Sequence, residues 1–222
     1  MPTILTEVEL RVLGSLVEKQ ITTPEYYPLT LNSLTLACNQ KNNRNPVTAY
    51  SEATVAEAIE TLRVKNLAYV FYGSNSRVPK YKHVMPEIFH LSHSELSLMC
   101  LLMLRGPQTV GELHGRAGRM FDFQGIEDVE ETVNSLISKE PDPLVARLPR
   151  QPGQKEARFA HLLAGDVDVE ALAAESQSTR EAAPSRGGSA ERIAQLEQVV
   201  ERLSGEVQSL QRQFEEFKKQ FE

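Results

Sequence analysis

The feature that most constrains the fold is an internal repeat of one helix-opening pattern. Thr6-Glu7-Val8-Glu9 and Ser92-His93-Ser94-Glu95 are both capping boxes, in which the hydroxyl accepts from a helical N–H while the Glu reaches back to the cap. Each box opens an apolar helix whose buried positions recur at a constant offset. The matching positions are Leu10, Leu13, Leu16 and Val17 in the first copy, and Leu96, Met99, Leu102 and Met103 in the second.

Two further helices are predicted in each copy. A second helix covers about residues 31–39 in the first copy and about 110–119 in the second, where Thr109 and Glu112 form another capping box. A third helix is indicated by apolar residues at helical spacing, and Ser51 is the expected N-cap of the first of these. The apolar residues are Val55, Ile59 and Leu62, and then Val129, Val133 and Leu136.

A β-hairpin is predicted after the third helix of each copy. Residues 67–72 are rich in aromatic and β-branched side chains, and residues 77–84 return after a turn of Gly, Ser and Asn. In the second copy, residues 144–148 and 157–162 flank a turn of Pro and Gly. Three helices followed by a hairpin, twice, is typical of tandem winged-helix domains. The expected fold class is therefore mainly α, of the α+β kind.

The repeat and the composition together predict four segments. The winged-helix domains are expected at 1–86 and 87–165, and a flexible linker at 166–190. Within this linker, residues 173–190 are dominated by Ala, Ser, Glu, Gly and Pro. Residues 191–222 carry apolar side chains at alternating steps of three and four, which favours a coiled-coil homodimer. The alternative is a single helix that folds back onto the globular part. The seam residues are Ile193, Leu196, Val200, Leu203, Val207, Leu210 and Phe214.

Several classes of function find no support in the composition. The chain lacks both a secretory signal pattern and a stretch of about 20 apolar residues, so we expect a cytoplasmic protein without a membrane partner. Cys38 and Cys100 lie in apolar helical patterns without a second cysteine nearby, and we interpret them as buried hydrophobes rather than metal ligands. No nucleophile, base and orienting group can be assembled, so we expect neither an enzyme nor a cofactor.

Charge is distributed unevenly along the chain, whose formal net charge is −6. Residues 1–86 carry nine basic and seven acidic side chains, whereas residues 87–165 carry eight and eleven. The third helix of the second copy begins Glu127-Asp128-Val129-Glu130-Glu131, which would repel a phosphate backbone. Only the first copy therefore offers a mildly basic surface.

Two segments of the first copy have the composition of a nucleic-acid contact. Residues 39–46 form a polar loop between the second and third helices, and the return strand interleaves cations with an aromatic ring. From these segments we predict phosphate contacts by Arg44 and Lys80. The full set of candidate residues is Gln40, Lys41, Asn43 and Arg44 in the loop, and Arg77, Lys80, Tyr81 and Lys82 in the hairpin.

Two functional hypotheses follow from these patterns. The first is a regulator that binds double-stranded DNA as a homodimer, through the loop and wing of the first domain. The second is an acidic adaptor or scaffold whose winged-helix domains bind a protein partner. The local basic residues favour the first hypothesis and the net charge favours the second, because a shared fold does not decide function.

The chain resembles bacterial YceH-type proteins. The similarity is carried by Thr22-Thr23-Pro24, by the loop Ala37-Cys38-Asn39-Gln40-Lys41-x-x-Arg44-x-Pro46-Val47, and by the hairpin segment Arg77-Val78-x-x-Tyr81-x-His83. It extends through both globular copies to about residue 163. The resemblance implies tandem winged helices and a cytoplasmic bacterial protein, and it implies no particular reaction.

Overall fold

A computed structural model describes residues 4–72, 78–150 and 156–165 of the chain, and the fold is of the α+β class. The first repeat contains α1 (Glu7–Thr22), β1 (Leu29–Thr30), α2 (Leu31–Cys38), α3 (Glu52–Val64), β2 (Ala68–Phe71) and β3 (Lys80–His83). After the short α4 (Met85–Phe89), the second repeat contains α5 (His93–Arg105), α6 (Val110–Ala117), α7 (Ile126–Ile137), β4 (Val145–Arg147) and β5 (Phe159–His161). The predicted linker at 166–190 and the predicted coiled coil at 191–222 lie outside the described residues.

The predicted capping boxes are confirmed, and each of the first two does more than begin a helix. Glu9 closes its box on Thr6 and also accepts from Lys65, which follows α3, at 2.6 Å. In the second repeat, Glu95 closes its box on Ser92 and accepts from Lys139 at 2.8 Å. One carboxylate therefore fastens the start of the first helix to the end of the third helix in both repeats.

The pKa values of Glu9 and Glu95 are set by the same two opposing effects, burial and hydrogen bonding. Burial pushes the pKa of Glu9 upward, but the hydrogen bonds from Lys65 and from the Thr6 amide outweigh it, so the pKa lies below its ordinary value. The pKa of Glu95 is lowered in the same way, against burial, by Lys139 and the Ser92 amide. Both groups therefore stabilise the fold as carboxylates.

Helices α1 and α5 pack against each other in the core. Gly14 lies at this contact, where an added Cβ would stand 2.9 Å from a side-chain methyl of Leu104. The Cys100 thiol donates to the Gly14 carbonyl at 3.4 Å, and Cys38 is equally buried. Both cysteines are therefore buried small side chains, as predicted, and burial raises the pKa of each thiol.

The strands form two small antiparallel sheets. In the first, β3 lies between β1 and β2, with Leu29 opposite Tyr81 on one side and Val70 opposite Tyr81 on the other. In the second, β4 pairs with β5, and Gln108 before α6 bridges to Phe159 through two backbone hydrogen bonds. The first strand of the first sheet was not predicted, because two residues are too few to show alternation.

None of the helices in the described part of the chain combines the length and the apolar character needed to cross a membrane.

Candidate nucleic-acid interface

The polar loop between α2 and α3 is closed by a pair of hydrogen bonds at its ends. The Asn39 amide donates to the Tyr50 carbonyl and its oxygen accepts from the Tyr50 N–H, both at 2.8 Å. Arg11, which is buried on α1, donates to the carbonyls of Pro46 at 2.7 Å and Cys38 at 3.3 Å. The Arg11 side chain thus holds both ends of the loop to α1 through backbone carbonyls.

Arg44 lies beneath this loop rather than on its surface. Its guanidinium donates to both oxygens of Glu18, at 2.7 and 3.3 Å, and its side chain has 0% exposed surface. It also donates twice to the Ala37 carbonyl at the end of α2, at 2.8 and 3.2 Å. A planar fork of donors suits this bidentate arrangement, which a lysine could not reproduce.

The tip of the loop contacts the second repeat. Asn43 adopts a left-handed backbone conformation, with φ at 61°, and its side-chain oxygen accepts from Arg105 at the end of α5. The Asn45 N–H donates to the Leu104 carbonyl at 3.0 Å. The carbonyls of the last helical turn have no partner within the helix, so the loop serves as a cap for α5.

These contacts revise the interpretation of the loop as a nucleic-acid contact. The predicted phosphate contact by Arg44 does not fit the structure, because its guanidinium is inaccessible and bonded to Glu18. Gln40 is half-buried with its oxygen 3.5 Å from Arg44, and Asn43 is occupied by Arg105. Of the four loop residues predicted, Lys41 alone is exposed.

The strands of the first hairpin present two different faces. The inner face is apolar and buried, and it includes Tyr81, which is 8% exposed and therefore cannot serve as the surface aromatic that the sequence suggested. Burial raises the pKa of the Tyr81 hydroxyl. The inner face also includes Leu29, Ala68 and His83, each 4% exposed or less, and the partly buried Val70.

The outer face of the first hairpin carries aromatic rings and lysines together. Tyr69 lies directly across from Lys82, and Phe71 directly across from Lys80. Tyr69 is 38% exposed and Phe71 is 43% exposed, and the Lys82 ammonium lies 5.8 Å from the centre of the Tyr69 ring. We call these four residues the outer face; Arg77, the remaining predicted residue of this hairpin, lies outside the described residues.

Tyr69 and Phe71 were missed as candidate residues. Their aromatic character was used only to predict a strand, where large apolar rings are expected to face the core. The signal that identifies them is their spacing of two, which places both rings on the face opposite Ala68 and Val70.

The second hairpin has no equivalent of this surface. At the position of the Tyr69 and Lys82 pair stand Ala146 and Ala160. Arg158, the counterpart of Lys80, donates to the Pro107 carbonyl at 2.7 Å and pairs with Glu112 at 3.0 Å. The two hairpins therefore share a backbone pattern and differ in surface chemistry.

The third helix of each repeat exposes carboxylates. On α3 these are Glu52, Glu57 and Glu60, and the last of them is paired with Arg63. On α7, Glu127, Glu130 and Glu131 are exposed. Neither helix presents the cationic surface that a phosphate backbone requires.

Within the described residues, histidines, cysteines and carboxylates do not gather into a group of three that could hold a metal ion. The predicted seam residues of the coiled coil, from Ile193 to Phe214, fall outside the described part of the chain.

Comparison with known proteins gives the family. Residues 5–154 match a family model described as "Protein of unknown function, DUF480". A UPF0502 protein of Opitutus terrae is 57% identical over 166 residues, which cover 75% of this chain and 72% of that protein. A UPF0502 protein of Geobacter sulfurreducens is 49% identical over 228 residues, covering 100% of both chains. Because the family model matches residues 5–154 and the Geobacter relative aligns with the whole chain, the chain belongs to the DUF480 family of UPF0502 proteins.

Proposed function

We propose that the protein is a non-enzymatic nucleic-acid-binding regulator built on two tandem winged helices, and that the outer face of the first hairpin is its contact surface. The observation that carries this proposal is the cross-strand pairing of Lys80 and Lys82 with the exposed rings of Phe71 and Tyr69. Cations neutralise phosphates, and aromatic rings accept bases or sugars beside them.

The winged-helix part of the proposal is supported by the order of elements. Each repeat runs helix, short strand or bridge, two helices and then a hairpin. In both repeats the segment before the second helix pairs with the return strand of the hairpin, through Leu29–Thr30 in the first and Gln108 in the second. In such a domain the hairpin is the wing and the third helix is the usual reader of the major groove.

The charge of α3 argues for a contact through the wing rather than through that helix. Glu52, Glu57 and Glu60 would stand against phosphates if α3 entered a groove. On the outer face, the two lysines stand across the strand from the aromatic rings. The proposed surface is therefore small, and with two lysines its affinity is expected to fall only about tenfold between 50 and 200 mM salt.

The test is fluorescence anisotropy with a labelled duplex that carries a single-stranded overhang, titrated with full-length protein at about 50 and 200 mM salt. If both lysines neutralise phosphates, the affinity should fall roughly sevenfold to twelvefold across this range, from slopes of about 0.7 to 0.9 per contact. The Lys80→Glu/Lys82→Glu variant should lose binding.

A matched control carries the same change in charge elsewhere. Arg119 and Arg147 are exposed, and Arg147 lies on the second hairpin. The Arg119→Glu/Arg147→Glu variant should keep nearly all of its affinity. Equal losses in the two variants would show a dependence on net charge alone and would contradict a site on the first hairpin.

The acidic surfaces of α3 and α7 favour a second candidate, an adaptor that binds a basic protein partner. The exposed carboxylates of both third helices would form its contact surface. This candidate predicts no binding of the labelled probe at 50 mM salt. It also predicts that changing Glu57 and Glu60 to Gln abolishes capture of the partner, whereas the Lys80→Glu/Lys82→Glu variant retains it.

Self-association through residues 191–222 is a further part of the proposal. The heptad pattern there needs a partner to bury its seam, and a dimer would present two outer faces at once. Truncation after residue 170 should convert a dimer into a monomer in light scattering. A truncated chain that remains dimeric would place the association elsewhere.

A further inference from the structure

We infer that the outer face of the first hairpin binds single-stranded nucleic acid, with unpaired bases stacked on Tyr69 and Phe71. This inference rests on the proposed function and narrows its ligand from nucleic acid in general to strands whose bases are free. It is carried by the spacing of the two rings, by their exposure, and by the position of the lysines across the strand from them.

The spacing of the rings suits successive bases. Tyr69 and Phe71 are two residues apart on one strand, so their Cα atoms are separated by about 6.6 Å along it. Stacked bases are about 3.4 Å apart in a duplex strand, so the two rings are about twice as far apart as neighbouring stacked bases, and both rings can take neighbouring bases only from a strand whose bases are splayed apart. A strand that runs along β2 can place a base against each ring.

The exposure of the rings is what a stacking surface requires. Tyr69 and Phe71 keep 38% and 43% of their surface exposed, so part of each ring is open to a ligand. In a duplex, each base is covered on both faces by its neighbours. A protein ring can therefore stack on a base only where that base is unpaired or at an end.

The two lysines of the outer face supply positive charge for the phosphates of the strand. Lys80 and Lys82 lie on β3, the strand paired with β2, and each is directly opposite one of the two rings. A backbone that follows β3 while its bases lie over β2 would pass both ammonium groups. This alternation of cations and rings is the arrangement with which sheet surfaces hold single strands.

The carboxylates of α3 favour a single strand over the wider duplex as the ligand of the outer face. Tyr81, on the inner face, lies close enough to Glu60 and Arg63 for their charges to act on its hydroxyl, so α3 packs on the side away from the outer face. A single strand on the outer face avoids the α3 carboxylates. The second repeat, with Ala146 and Ala160 at the equivalent pair, offers no such surface.

The experiment uses the full chain, which contains no tryptophan. In the Phe71→Trp variant the new indole is the sole tryptophan and reports directly on stacking. Titration with an unlabelled single-stranded oligonucleotide should quench its fluorescence, and the fully paired duplex of the same sequence should quench it far less. In competition against a labelled single strand, the unlabelled single strand should displace the probe at least tenfold better than the duplex.

Substitutions separate stacking from charge. Tyr69→Leu and Phe71→Leu should each weaken single-strand binding roughly 5- to 150-fold, since stacking contributes about 1–3 kcal/mol per base. Tyr69→Phe should bind like the wild type because it keeps the ring. Tyr26→Leu is the matched control, as Tyr26 is 72% exposed on the turn before β1 and is not part of the outer face. Circular dichroism establishes that each variant is folded.

The outcomes distinguish the inference from the proposed function. Preference for the single strand, with quenching and a loss in the leucine variants, supports both. Duplex binding that depends on Lys80 and Lys82 but leaves the indole unquenched overturns stacking and leaves nucleic-acid binding standing. Failure to bind either oligonucleotide at 50 mM salt overturns both.

Discussion

The buried pair of Arg44 and Glu18 gives the sharpest prediction about stability. In the Arg44→Met variant, Glu18 would keep a carboxylate that is 8% exposed and has lost both of its bonds to the guanidinium. The Ala37 carbonyl would lose two donors as well. We expect the free energy of unfolding to fall by about 3–5 kcal/mol, the usual cost of removing one member of a buried ion pair.

This loss is large against the total stability of a domain, which is about 5–15 kcal/mol. The assay is urea unfolding of the full chain followed by circular dichroism, with the midpoint and slope fitted for each variant. Lys41→Met is the matched control, because Lys41 is exposed in the same loop, and its effect should stay within about 0.5 kcal/mol.

The double variant Glu18→Leu/Arg44→Met tests the electrostatic reason. With both charges removed, no ion is left unpaired, so the double variant should recover about 2 kcal/mol or more of the loss seen in Arg44→Met. A loss of less than 1 kcal/mol in Arg44→Met would refute the buried placement of this guanidinium. A double variant less stable than the single one would refute the unpaired charge as the cause.

Three further predictions concern the repeat and its core. Glu95→Gln should cost roughly 1–3 kcal/mol in urea unfolding, because it weakens the bonds from the lysine after α7 and from the cap of α5. Burial holds the pKa of His83 and of His161 at about 4, below the ordinary 6.5. The free energy of unfolding should therefore fall as the pH is lowered from 6.5 towards 4, by roughly 3 kcal/mol at most for each histidine and by less for the half-buried His161. Unfolding midpoints that do not change with pH would contradict this. Gly14→Val should lower the free energy of unfolding by roughly 1–3 kcal/mol in thermal unfolding, because an added Cβ stands 2.9 Å from a leucine side chain of α5. Gly115→Val is the control and should not show this packing cost, because nothing lies within 4 Å of its added Cβ. Equal losses in the two variants would refute the packing argument.

The helices could be predicted from the sequence because their signals are local. A capping box needs only four residues, and the boxes at Thr6, Ser92 and Thr109 all form as predicted. The buried faces of α1 and α5 repeat at helical spacing, which periodicity detects directly. The ion pairs that join Glu9 to Lys65 and Glu95 to Lys139 could not be predicted, since both link residues far apart in the chain.

The fate of the polar loop could not be predicted for the same reason. The sequence predicts Arg44 at the surface because its neighbours in the chain are polar, and polar segments usually lie in solvent. Its environment is instead set by Glu18 on α1 and the carbonyl of Ala37 on α2, which the chain brings together only after folding. Local composition does not reveal a distant carboxylate.

The residues that carry the resemblance to the family could serve either the fold or the binding of a ligand, and the structure favours the fold for those in the loop. The loop residues that carry the resemblance, such as Asn39 and Arg44, close the loop and bind it to α1. A chain with a different function but the same two repeats would need the same contacts, so these residues indicate the fold rather than the ligand. Tyr69 and Phe71 are exposed and stabilise no described buried contact of this kind, so the search for function should begin with them.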